Sequence, residues 1–209
     1  MPRSRKKRRG AAPKSSANIA PAGRPGARPG RRRALLLAAV VALVGLGAWF
    51  WYAAGLAEEA FLEHAERGRE AVAKVERPPN QGSGHLVPGQ SVRYLSDPPT
   101  SGLHDPDWIK PGYYRARQIR ENLVHSLEHG LIVIYYDTPG AAALDNLKDW
   151  ADLYGGPWSG LVVAPKPGLD EVIVLTAWNR LLRLGPFDAD AAAAFIDEFR
   201  GRGPEHPVR

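Results

Sequence analysis

The chain has 209 residues, room for one ordinary domain and some additional segment. Lys and Arg outnumber Asp and Glu 28 to 22, yet 12 of the 28 fall within residues 1–33, which hold no acidic residue. The remainder carries 16 basic residues against 22 acidic ones, so the basic character belongs to a tail. There is no Cys and the only Met is Met1, which excludes disulfides, thiolate catalysis, zinc–thiolate knots, iron–sulfur clusters and a Met-rich copper(I) site.

Residues 1–33 read as a disordered basic cytoplasmic tail, with Pro, Gly, Ser and Ala between the basic runs. Ala34–Ala57 has no charged residue over 24 positions. As a helix it reaches roughly 36 Å, enough for a hydrocarbon core of about 30 Å. Arg31, Arg32 and Arg33 abut one end, and Trp49, Trp51 and Tyr52 mark the other. The positive-inside rule then places the N-terminus in the cytoplasm and the rest outside the cytoplasmic membrane. The apolar run exceeds the roughly 7–15 residues of a cleaved signal peptide, so an uncleaved single-pass anchor is expected despite the weak Gly55-Leu56-Ala57 cleavage match. Beside a span, a basic tail serves orientation and attraction to anionic lipid, so the bilayer is the expected partner and no nucleic acid is expected.

Residues 58–77 read as a helical stalk, with Phe61, Leu62, Ala65, Val72 and Val75 on one period and His64 among solvated charges. A Pro/Gly linker around Arg77–Gly84 opens an extracytoplasmic domain at 78–205, followed by a short tail at 206–209. Within it Ser91–Leu95 is a short strand and Asp97–Gly112 a long loop of the kind that carries function. Arg115–His129 is a helix, Leu131–Tyr136 a strand buried on both faces, and Ala141–Tyr154 a helix. Leu161–Ala164 is a strand, Lys166–Asp170 a turn and Glu171–Trp178 the returning strand of a hairpin that Leu181–Leu184 extends. Asp188 caps a last helix, Ala189–Arg200, that ends at Gly201. The order strand, helix, strand, strand, helix predicts an α+β fold: a mixed sheet with helices packed on it, thioredoxin-like in outline.

Four of the six His lie between 85 and 129. Helical spacing puts His125, Glu128 and His129 on one face, opposite Leu123, Val124 and Leu127, so they face solvent, a cleft or the long loop. The spelling H-x-x-E-H occurs in inverzincin peptidases, where two His hold zinc and the Glu is the base. Here Gly130 ends the helix at once and no other helix offers the distant acidic ligand, which argues against proteolysis. Helix-terminal His are favourable against the dipole without a metal, but Glu128 there is not, so it calls for a partner: Arg, Lys or a cation. His104 follows Pro98-Pro99-Thr100-Ser101-Gly102-Leu103, a stiffened approach that holds one side chain at low entropic cost. The candidate ligands are therefore His104, His125, His129 and Glu128, with His85 as a fifth, and the expected guest is a divalent transition metal, zinc or copper foremost. If the site is catalytic, Glu128 is the base for metal-activated water. The rival reading is an envelope binding or scaffold module, with a protein partner, in which the His form a hydrogen-bonded network without metal.

Pro98-Pro-Thr-Ser-Gly-Leu-His104, Gly112-Tyr113, Val124-His-Ser-Leu-Glu-His-Gly130, Thr176-Ala-Trp-Asn-Arg180 and Gly203-Pro-Glu205 together resemble domain of unknown function family 3105. The resemblance spans about residues 80–205 and implies bacterial proteins with an N-terminal membrane segment, but no activity. It implies that His104, His125, Glu128 and His129 are motif positions. Cys pairs found in some members have no counterpart here.

Overall fold

The computed structural model describes residues 29–209. The tail reading for 1–28 lies outside them. The described residues group into two units that divide between Gly47 and Ala48.

The first helix, α1, runs Pro29–Arg67. It is long and apolar enough to cross a membrane, and its apolar side chains from Leu35 to Leu56 are exposed. A 3-10 turn, Arg69–Lys74, follows. The stalk reading meets an obstacle here: Phe61 and Ala65 are buried in the domain core. Phe61 makes edge-on contacts with Trp150 and Tyr154, at centroid distances of 5.3 and 4.9 Å. His64 is not simply solvated either. It and Arg67 bond the carboxylate of Asp190. An amphipathic period does not say what its apolar side meets, and here it meets the domain itself.

Five strands form one mixed sheet: β1 (Gly112–Tyr113), β2 (Ile132–Tyr136), β3 (Leu161–Pro165), β4 (Ile173–Ala177) and β5 (Arg180–Leu184), in the order β1-β3-β2-β4-β5. The three helices of this region are α2 (Arg120–Glu128), α3 (Ala141–Leu153) and α4 (Ala189–Phe199). β2 pairs in parallel with β3, to which α3 connects it, while β4 runs antiparallel to β2 and β5. All five residues of β2 are buried, as a continuous apolar run requires of a central strand. Alternation sorts them: Ile132, Ile134 and Tyr136 pack with Leu147, Trp150 and Phe195 on one face. Val133 and Tyr135 pack on the other with Leu123 and Leu127 of α2. Asp188 caps α4 by accepting a hydrogen bond from the Ala191 amide, as expected of an Asp at that position.

Four local expectations need correction. Glu171–Trp178 does not return along Leu161–Ala164: β2 lies between β3 and β4, and β4 makes its hairpin with β5. Ser91–Leu95 is not a strand, because the side chain of Gln81 takes the Arg93 carbonyl and the Leu95 amide that a ladder would use. The helix expected from Arg115 begins at Arg120, after an extended Ile119. Gly112–Tyr113, read only as a loop end, is a fifth, edge strand beside β3.

Candidate metal centre

The polar face of α2 holds the long loop. Asn122 donates to the Asp107 carbonyl, His125 Nδ1 to the Asp105 carbonyl (2.9 Å), and Ser126 exchanges hydrogen bonds with both backbone groups of Ile109. The helical spacing is thus answered by the loop, one of the three surroundings open to that face. The loop's other end is tied to segment 82–86. Gly102 N donates to the Gly82 carbonyl, His104 N to that of Gly84, and Leu86 N to that of His104. This short parallel pairing sets His85 beside His104. Gly102 has φ of +121°, which a side-chain-bearing residue rarely adopts, so the turn requires the glycine the sequence supplies. The tip of the β4–β5 hairpin completes the clamp, with Asn179 N donating to the Thr100 carbonyl.

The result is a cluster of imidazoles. Ring centroids lie 5.3 Å apart for His85–His104, 4.9 Å for His104–His125 and 5.0 Å for His85–His125, a triangle to which His129 is joined at 4.7 Å from His125. His104 is fully buried, His125 and His129 nearly so, and His85 is exposed. His104 Nδ1 sits 2.8 Å from the Gly102 carbonyl. A carbonyl only accepts, so Nδ1 carries a proton in both His104 and His125, and in the neutral ring Nε2 is the nitrogen with the lone pair. Backbone carbonyls of this kind orient metal-binding imidazoles.

His104 Nε2 is buried without a hydrogen-bond partner, yet it lies 3.0 Å from Glu128 Oε2. The distance is that of a hydrogen bond and the alignment is not. Burial holds the His104 pKa below its ordinary value, against the opposing pull of the Gly102 carbonyl and Glu128, while His125 and His85 push it lower. A lone pair and a carboxylate face each other with no proton favoured between them. Burial likewise lowers the pKa of His129, opposed first by Glu205.

Single donor atoms from His85, His104, His125 and Glu128 all lie within 4.8 Å of one another. A tetrahedral ion with bonds of about 2.0–2.1 Å holds its donors roughly 3.3 Å apart, so this set needs a modest contraction to close. His125, His129 and Glu205 form a second group within the same span. The structure therefore brings together every ligand candidate named from sequence, in two overlapping groups, with His129 in the second.

Sequence reasoning left Glu205 without a role. Its position depends on a backbone contact between segments far apart in sequence. The Gly201 amide donates to the Gly130 carbonyl (2.8 Å), and the Glu205 amide to that of Glu128 (3.3 Å). A Cβ at Gly203 would lie 2.2 Å from both the Glu128 oxygen and the Gly130 nitrogen, so only glycine lets the C-terminal segment dock on the end of α2. Glu205 Oε2 then stands 2.9 Å from His129 Nε2. The motif Gly-Pro-Glu was the available signal, but its distance from the His motifs hid the link. Arg180 covers the Phe199 ring. Trp108 and Trp158 wall His129, with centroids at 4.7 and 4.3 Å. A cavity of about 510 Å³ lies beside the cluster, walled by Arg77, Trp178, Arg180, Phe199 and Arg202, and none of the imidazoles lines it.

Searches of curated proteins and of solved structures returned no match. A family model described as "Protein of unknown function (DUF3105)" matches residues 85–209, the stretch that carries all the candidate ligands. The chain belongs to the DUF3105 family.

Proposed function

We propose that this protein is a single-pass membrane-anchored metal-binding protein whose extracytoplasmic domain holds one divalent transition ion at the His/Glu cluster. One observation carries the reading: the buried, unpartnered Nε2 of His104, held by the Gly102 hydrogen bond and set against Glu128. A structural histidine network satisfies its buried nitrogens, since each orphan costs about 1–3 kcal/mol. His104 Nε2 is without a partner. The rival scaffold reading leaves that atom unexplained, whereas an ion supplies the missing electrophile.

The donors are imidazole nitrogens and carboxylate oxygens, without thiolate or thioether, which suits Zn(II) or Cu(II) and disfavours Cu(I). Should His85, His104 and His125 alone hold the ion, Glu128 stands where it can take a proton from a bound water, the arrangement of metal-assisted hydrolysis.

The anchor reading rests on α1 and its flanks. Arg31, Arg32 and Arg33 at one end and Trp49, Trp51 and Tyr52 nearer the other favour an N-terminus in the cytoplasm, beside anionic lipid, and a domain across the cytoplasmic membrane. The strand order β1-β3-β2-β4-β5, with β4 antiparallel to β2, supports a thioredoxin-like outline.

The test is metal content and affinity of the full chain in detergent, beside His104→Gln and a His125→Ala/His129→Ala double variant. About one equivalent of Zn(II) or Cu(II) in the wild type, with weaker or no binding in folded variants, is expected. A wild type that takes up neither ion sinks the reading.

A further inference from the structure

We propose that the ion moves within one chain between two overlapping donor groups, pivoting on His125, so that the domain passes an ion through rather than storing it. The proposal rests on the metal reading above.

The argument begins with a shortage of donors. His125 belongs to both groups, the one with His85, His104 and Glu128 and the one with His129 and Glu205. Its Nδ1 is committed to the Asp105 carbonyl, so only Nε2 remains, and one lone pair binds one ion at a time. The two groups therefore cannot both be filled with complete donor sets. A second ion would have to settle for the remainder of its group.

Exposure supplies the openings. His125 is 5 % exposed, but each group contains an exposed residue. His85 is exposed in the first, and the Glu205 side chain is 45 % exposed in the second. The pivot is thus interior and each group has its own access to solvent. The groups are also unequal. The first offers three nitrogens and a carboxylate, the second two nitrogens and a carboxylate. The second leaves a coordination position open to an incoming donor, as exchangeable sites do. The His206 ring lies 5.0 Å from Trp158, whose own ring is 4.3 Å from His129.

Transfer is then a ligand exchange. The ion keeps His125 Nε2, loses the His85 nitrogen, His104 Nε2 and the Glu128 oxygen, and gains a ring nitrogen of His129 and a Glu205 oxygen. No electron moves, and no bond other than the metal–ligand bonds changes. The acceptor that fits the Glu205 opening is a partner bearing nitrogen and oxygen donors.

The experiment uses the full chain in detergent with Cu(II) alone as probe. It counts bound ions, counts coordinated imidazoles by pulsed electron paramagnetic resonance, and times removal of the ion by EDTA. The expected results are one ion in the wild type, one ion in Glu205→Gln and His129→Gln with removal several-fold slower, and one ion in His104→Gln with removal faster. Glu205 is exposed, so its variant remains informative even if His104→Gln does not fold. Two tightly bound ions in the wild type overturn the shared pivot, as does wild-type removal kinetics in both Glu205→Gln and His129→Gln. Both outcomes leave the metal reading standing. No bound ion at all overturns that reading and this one with it.

Discussion

His104 Nε2 and Glu128 Oε2 face each other at 3.0 Å without a hydrogen bond, one from a loop and one from the last residue of α2. Two electron-rich atoms at that separation repel unless a cation or a proton lies between them. Burial disfavours the proton on His104.

Glu128→Gln distinguishes metal site from hydrogen-bonded network. The amide nitrogen can donate to His104 Nε2 and satisfy it. The metal-free variant is expected to be more stable than the wild type, by about 1 kcal/mol. Its metal affinity should fall by at least about 10–100-fold, the range seen for lesser changes around metal ligands. Chemical denaturation with and without chelator, alongside calorimetric titration, measures both. A loss of metal-free stability would favour a structural salt bridge.

Acid should destabilise the metal-free domain. His104 and His129 have folded pKa values lowered by burial, so the unfolded chain binds more protons below the ordinary imidazole value of about 6.5. Their contribution to stability is fully present above that pH and is lost as pH falls from it through the folded values. The urea midpoint in the presence of chelator should therefore drop between pH 7.5 and pH 5. A flat profile across that window contradicts the neutral, buried assignment.

Gly203→Ala is expected to cost about 1–3 kcal/mol, the range for overpacking, because the added carbon meets backbone of Glu128 and Gly130 that has no room to move. It should also displace Glu205 from His129. The measurements are the melting temperature and the number of imidazoles on bound Cu(II). Stability at the wild-type level would mean that the C-terminal segment is not docked.

Removal of residues before 78 should weaken the domain, since Phe61 is 1 % exposed and packs on Trp150 and Tyr154. Phe61→Ala in the full chain is expected to cost about 3–5 kcal/mol, as for other buried aromatics. Comparing urea unfolding of fragments that begin at 58 and at 78 checks the same point without a substitution. Equal stability of the two would restore the stalk reading.

Several features were legible from the chain alone because they depend on neighbours in sequence. The uncharged run Ala34–Ala57 needs only length and composition to read as an apolar helix. Leu131–Tyr136 reads as a central strand, Asp188 as a cap, and Lys166–Asp170 as a turn between strands, each from local chemistry. Helical spacing alone sorted His125, Glu128 and His129 onto the face away from Leu123 and Leu127. What tertiary structure decided is everything that joins distant segments. Periodicity cannot say that Phe61 meets Trp150, that Gly112–Tyr113 finds an edge of β3, or that Gln81 takes the backbone partners of Arg93 and Leu95. Nor can it say that Gly203 lets the C-terminus lie on α2 and carry Glu205 to His129. Donor types are written along the chain, but a metal centre is a set of distances. Those distances arise only when 82–86, the 97–112 loop, α2 and the C-terminal segment are packed against one another.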